Sequence, residues 1–244
     1  MSLIKNFFHI FLYQPLFNAL ILIYQYLPGH DFGVAIIVLT ILIRILIFPF
    51  VTKSIESQKV LSDLQVKVKE IQKKYKDDKE RQAKETMDLY KREKINPFSA
   101  YIPLFVQLVV LIAFYRVVLR GLNPGSMSLL YGFVSNPGAI NPVFLGIINL
   151  SMASPIMAIL AGVAQFLQGK TMYPQMKKAQ KDDKTAQFSN AMQKQMMYVM
   201  PLITVLFLLK LPSVIGIYWI VTSIFSVFQQ QLILKRQNTQ QKNA

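Results

Sequence analysis

Residues 32–51 read FGVAIIVLTILIRILIFPFV, an apolar run with one charge, Arg44, near its middle and no carboxylate. About 20 apolar residues of helix cross the hydrocarbon core of a bilayer. The run therefore predicts a membrane span, and with it the fold class. A guanidinium at bilayer depth costs roughly 2.5 to 3.5 kcal/mol on insertion scales, and such residues usually face a wet cavity or the protein interior. No Asp or Glu falls in any of the chain's membrane-length segments. Arg44 is accordingly expected to be open to water, to lipid phosphate or to a passing polypeptide.

Composition supports a membrane protein. The 244 residues are 53% hydrophobic and the mean hydropathy is +0.36, too apolar for a soluble domain of this size. The absence of cysteine excludes disulfides, thiolate metal sites and a thiol nucleophile. A net charge of +15 raises nucleic acid as a partner. The basic residues are concentrated between the apolar runs, however, where membrane topology places them.

Four more stretches qualify as spans, at residues 97–119, 142–167, 195–209 and 213–234, giving an all-α polytopic membrane protein with five transmembrane helices. The predicted order is an amino-terminal segment (1–30), the first span (31–52), a charged segment (53–95), the second span (96–120), an outer loop (121–141) and the third span (142–168). A second loop (169–194), the fourth and fifth spans (195–211 and 212–235) and a tail (236–244) follow. Thirteen Lys and Arg lie at 53–94, six at 170–194 and three from 235 onward, against none at 121–141. The positive-inside bias puts the three basic segments and the carboxyl terminus in the cytoplasm. Arg116 and Arg120, on the other side, are read as snorkelling to outer head groups.

Residues 7–27 are long enough to cross, yet Gln14, Asn18 and Gln25 share one face at helical spacing. They are read as an amphipathic helix in the outer interface, with a sixth span as the alternative. Pro28, Gly29 and His30 do not make a signal-peptidase site. The charged segment predicts a soluble helical hairpin, with Leu61, Leu64, Val68, Ile71 and Tyr75 on the first arm facing Ala83, Met87 and Tyr90 on the second, after a turn at 76–78. Its basic tip, Lys73, Lys74, Lys76, Lys79 and Arg81, is a candidate docking surface.

Residues 194–201 read KQMMYVMP, followed by Leu211-Pro212, Tyr218-Trp219 and Gln229-Gln230. With Tyr13-Gln14-Pro15-Leu16 and Asn18, Ala35-Ile36-Ile37 through Ile43-Arg44 and Pro49, and Asn96-Pro97 with Pro103 and Gln107, the order resembles the YidC/Oxa/Alb family of membrane protein insertases. The similarity covers nearly the whole chain and matches the compact five-span bacterial form, without the large extracytoplasmic domain of many Gram-negative members. Two positions depart from the family pattern: Val214 stands where a Gly is usual, with Gly216 displaced, and Ser223 stands where Asn is usual.

The resemblance implies that the spans enclose a hydrophilic groove holding Arg44, open to the cytoplasm and to lipid. Suitable lining is present in Thr40, Gln107, Gln165, Gln168, Tyr218, Trp219, Thr222, Ser223 and Ser226. Interhelical hydrogen bonding is the plainer role for the Gln, Ser and Thr residues taken singly. The implied partners are nascent membrane proteins, the ribosome and targeting machinery, and the phospholipid bilayer. The Sec translocon is left open, and no cofactor is expected. The implied location is the bacterial cytoplasmic membrane.

Enzyme activity is not expected, because a hydrolase needs a nucleophile with a base or a metal and the two histidines, His9 and His30, lie outside the five spans. The rival reading is an anion or small-solute channel using the same Arg44.

Overall fold

The computed structural model describes residues 8–96, 102–121, 124–172 and 194–242. A π-helical turn, His9–Tyr13, runs into α1 (Gln14–Tyr26); α2 is Phe32–Lys74, α3 Lys79–Arg92 and α4 Ile102–Gly121. After a 3₁₀ turn, Pro124–Leu129, come two short strands, β1 (Val143–Phe144) and β2 (Ile148–Asn149), then α5 (Pro155–Met172). A second π-helical turn, Gln195–Val199, leads into α6 (Met200–Leu208), and α7 (Ser213–Lys242) completes the chain. The fold is that of a helical membrane protein. Residues 32–57 and 213–235 are long and apolar enough to cross a bilayer, and residues 195–208 form a shorter apolar helix.

Residues 1–46 and 111–244 make one compact unit and residues 47–110 another. In the first, α5 packs against both α7 and α6. Small residues make the close approach possible. A Cβ on Gly216 of α7 would lie 3.1 Å from Met157 Cβ and 3.4 Å from the Met157 carbonyl oxygen, while one on Gly162 of α5 would collide with the Val205 side chain of α6. Val214, where a Gly was anticipated from the family pattern, is fully buried. The close-packing position has moved to Gly216, which puts the missing side chain half a turn further along.

One end of this unit is knitted together by hydrogen bonds. Asp31 caps α2, its Oδ1 accepting from Val34 N at 3.0 Å, while Oδ2 accepts from Leu145 N at 2.7 Å. The Ser213 hydroxyl, at the start of α7, donates to the Asn149 carbonyl at 3.1 Å, and Ser213 N donates to Met152 O at 2.8 Å. The bonds to Val34 N and from Ser213 N satisfy helix-terminal groups that would otherwise be orphaned.

Here the helix starts later than the apolar run from residue 142. Helix begins at Pro155, not at residue 142, because β1 and β2 pair antiparallel, Phe144 opposite Ile148, around a turn in which Leu145 (φ 50°) and Gly146 (φ 72°) are both left-handed. The Asn141 and Asn149 side chains accept from backbone N–H groups two residues on, the local bonding that competes with helix.

The polar face of α1 is occupied by the loop after α4. Asn18, almost wholly buried, donates through Nδ2 to the Gln14 carbonyl at 2.8 Å and the Leu129 carbonyl at 3.2 Å. Its Oδ1 accepts from Tyr131 N at 2.7 Å. Gln14 also donates to Leu129 O, and Gln25 to Ser135 O. The amphipathic pattern thus encodes docking to protein rather than a water-facing stripe. Asn18→Ala leaves the Tyr131 N–H and a buried carbonyl without these partners, so it is expected to cost about 2 to 3 kcal/mol. Thermal unfolding in detergent should show a loss of several degrees, and an unchanged transition would contradict the docking role. Arg116 and Arg120 lie over the Phe8 and Tyr13 rings, at 5.4 and 5.3 Å from the centroids. Their aliphatic and guanidinium surfaces therefore pack on the amino-terminal helix, a contact not foreseen in the snorkelling reading.

In the second unit, Lys67 Nζ bonds Glu93 Oε1 at 2.7 Å and Gln82 Nε2 donates to the Gln72 carbonyl at 2.9 Å, so α3 runs back along the latter part of α2. Asp78 caps α3 by accepting from Arg81 N. The seam on α3 is shifted from the expected one. Leu89 is buried while Ala83 and Met87 are exposed, because the Gln82 and Glu93 contacts fix the register on positions 82, 86, 89 and 93.

Candidate functional site

Arg44 and Thr40 sit one turn apart on α2, and both are buried, Arg44 with 7% of its surface exposed. The Thr40 hydroxyl donates to the Ile36 carbonyl at 2.7 Å, which leaves its oxygen as an acceptor. Arg44 is engaged with other groups of the protein, and Tyr218 of α7 is close enough to act on it electrostatically. Tyr218 is in turn stacked on Phe114 of α4, ring centroids 4.4 Å apart and planes at 27°. Arg44 is therefore buried at rest within the first unit, with little of its surface exposed.

The face of α7 that carries Tyr218 is polar along its length. Tyr218, Trp219, Thr222, Ser223, Ser226, Gln229 and Gln230 fall within about 140° of one another at 100° per residue. Tyr218, Thr222, Ser223, Gln229 and Gln230 are buried, while Trp219 and Ser226 are half-buried. The Ser226 hydroxyl donates to the Thr222 carbonyl at 2.9 Å. Thr222 Oγ1, Ser223 Oγ and Gln230 Oε1 are buried with no hydrogen-bond partner among the described residues, and so is Gln165 Oε1 on α5. Each orphaned acceptor costs about 1 to 3 kcal/mol if left dry. Water is the physical remedy, provided the space is polar and two or more partners converge.

Gln229, Gln230 and Thr204, all buried, were not among the anticipated lining. The recurrence of polar residues every three or four positions after Tyr218 was the signal that could have found the two glutamines. Gln168 is half-buried and engaged with other groups. Gln107 belongs to the second unit, where it is likewise engaged. The five basic residues of the candidate docking surface, Lys73, Lys74, Lys76, Lys79 and Arg81, are exposed, and Lys74 and Arg81 lie over the Tyr75 ring at 5.3 and 4.9 Å. Met197, in the Gln195–Val199 turn, is buried against Gly169 of α5.

Comparison with known proteins identifies the family. The family model described as 60Kd inner membrane protein matches residues 22–241. A membrane protein insertase YidC of Fusobacterium nucleatum is 32% identical over 84% of this chain and 87% of its own length. One of Syntrophus aciditrophicus is 35% identical over 91% of this chain and 36% of its own. Membrane protein insertase YidC 1 of Listeria monocytogenes is 34% identical over 84% of this chain and 64% of its own. The chain thus spans well under two thirds of the second relative and just under two thirds of the third. On the match to almost its whole length, the chain belongs to the YidC/Oxa/Alb family.

Proposed function

We propose that the protein is a membrane protein insertase of the bacterial cytoplasmic membrane, with five spans around a hydrophilic groove and its carboxyl terminus in the cytoplasm. The observation that carries this reading is the buried Arg44 together with the polar face of α7, whose buried Thr222, Ser223 and Gln230 oxygens lack hydrogen-bond partners among the described residues. Such a site suits a short hydrophilic tail in transit. Uncharged acceptors hydrate the passage without neutralising the cation. An acidic group on the tail exchanges with the protein groups that hold Arg44 at rest.

No covalent step is required. Burying an apolar segment of about 20 residues in lipid supplies the drive at roughly 25 cal/mol per Å², and a potential of 100 mV adds about 2.3 kcal/mol per acidic group moved outward. The protein lowers the desolvation barrier for the polar tail. Arginine suits the role because it keeps its proton and presents a fork that pairs with a carboxylate. The exposed basic tip of the charged segment is the docking surface for the ribosome and targeting machinery. Crosslinkers at Lys74 or Lys79 should capture those partners during translation; lipid adducts alone would remove that assignment.

Reconstitution tests the whole reading. Purified protein in proteoliposomes should insert a single-span substrate with an acidic tail without raising anion flux, whereas anion flux without insertion would favour the channel. Thr222→Val separates wetting from packing. Removing an orphaned acceptor should leave thermal stability equal or raise it by up to about 1 kcal/mol, while insertion falls a few-fold. A drop in stability with unchanged insertion would contradict a hydrated role for this hydroxyl.

A further inference from the structure

The turn between β1 and β2 presents large apolar side chains outward from a rigid mount. Ile147 is 82% exposed and Leu145 is exposed beside it. Leu145 occupies the left-handed region at φ 50°, where Gly or Asn would sit without strain. The strand pair is held firmly: Ile147 N donates to Phe144 O at 3.0 Å and Leu150 N to Pro142 O at 2.8 Å. Asp31 accepts from Leu145 N, and Phe144 packs against Gly33. No charged residue occurs between positions 121 and 169. The exposed apolar surface of α5, Ile156, Ile159, Leu160 and Val163, continues through exposed Met152 toward this turn.

We infer that the β1–β2 turn is a lipid-inserted finger, with Leu145 and Ile147 in the apolar part of the leaflet opposite the basic segments. Phospholipid is its occupant. The inference rests on the reading that α5 spans the membrane, since the finger prolongs the surface that α5 offers to lipid. An uncharged, apolar turn at a span's end gains by burying Leu145 and Ile147 in lipid. It also has a consequence for the site. Asp31 and Gly33 join the finger to the start of α2, and Arg44 lies 13 residues beyond Asp31, about 20 Å along the helix at 1.5 Å per residue. The finger thereby sets the depth of Arg44 in the bilayer.

The cysteine-free chain allows the test by single-site spin labelling of the full protein in phosphatidylethanolamine–phosphatidylglycerol vesicles. Nitroxides on Ile147→Cys, on Ile159→Cys as the lipid reference and on Lys79→Cys as the aqueous reference are compared for collision with oxygen and with a water-soluble nickel chelate. The oxygen-to-nickel ratio at 147 should match that at 159 and exceed that at 79. A ratio at 147 equal to that at 79, with 159 lipid-like, overturns the finger alone. Aqueous values at both 147 and 159 overturn the finger together with the spanning reading of α5. A label at 147 shielded from both probes, or broadened by a second label at low protein-to-lipid ratio, overturns it in favour of a protein occupant or a second copy.

Discussion

Arg44→Ala is expected to slow insertion of a single-span substrate with an acidic tail by about tenfold or more, equivalent to roughly 1.4 kcal/mol or more in the barrier. Arg44→Lys keeps the charge and loses the planar fork, so it should retain much of the activity at neutral pH. Substrates with neutral tails should be affected less by either change. The comparison discriminates because Arg44 is almost enclosed. If it served only to hold α2 beside Tyr218, both variants would lose stability in proportion and the tail's charge would not matter. Equal insertion of acidic tails by all three proteins would remove the electrostatic step.

Gly216→Leu should abolish the packing of α7 on α5. The nearest atoms to an added Cβ include the Met157 carbonyl oxygen at 3.4 Å, which belongs to a helix backbone and cannot swing aside. Overpacking of this kind costs about 1 to 3 kcal/mol and sometimes more, enough to deplete folded protein from the membrane. Gly216→Ala places one carbon 3.1 Å from Met157 Cβ and gains roughly 1 kcal/mol of helix propensity, so it should fold nearly as well. Thermal unfolding of both in the same detergent checks the contrast. A leucine variant as stable as the alanine one would show that the helices are further apart than described.

Much of this was legible in the sequence because it follows from charge and periodicity. Arg44 stood out as the single charge of its run, and the spacing of Gln14, Asn18 and Gln25 marked a polar face on α1. What the spacing could not tell was the partner of that face, since a docked loop and a layer of head groups demand the same donors and acceptors. The apolar run from residue 142 misled for a related reason. Hydropathy is blind to the difference between a span and an uncharged turn, and only Gly146 with its flanking Asn residues hinted at the break. The burial of Arg44 was illegible because it depends on other helices, among them the one that carries Tyr218, arriving beside α2. The Gly216 shift, by contrast, was visible as a departure from the family pattern, and packing against Met157 supplies its meaning.

Water along the buried polar face of α7 is the claim on which the mechanism depends, and a thiol at position 222 reads it directly. Cysteine reacts with alkylating reagents as the thiolate, which forms only where water or positive charge stabilises it, and this chain contains no other cysteine. With Thr222→Cys in sealed vesicles, a small water-soluble maleimide added on the side of the basic segments should label the protein, while Ile159→Cys on the outer surface of α5 stays unlabelled. Failure of position 222 to react under conditions that label Lys79→Cys, in a variant that still folds, would contradict a hydrated groove.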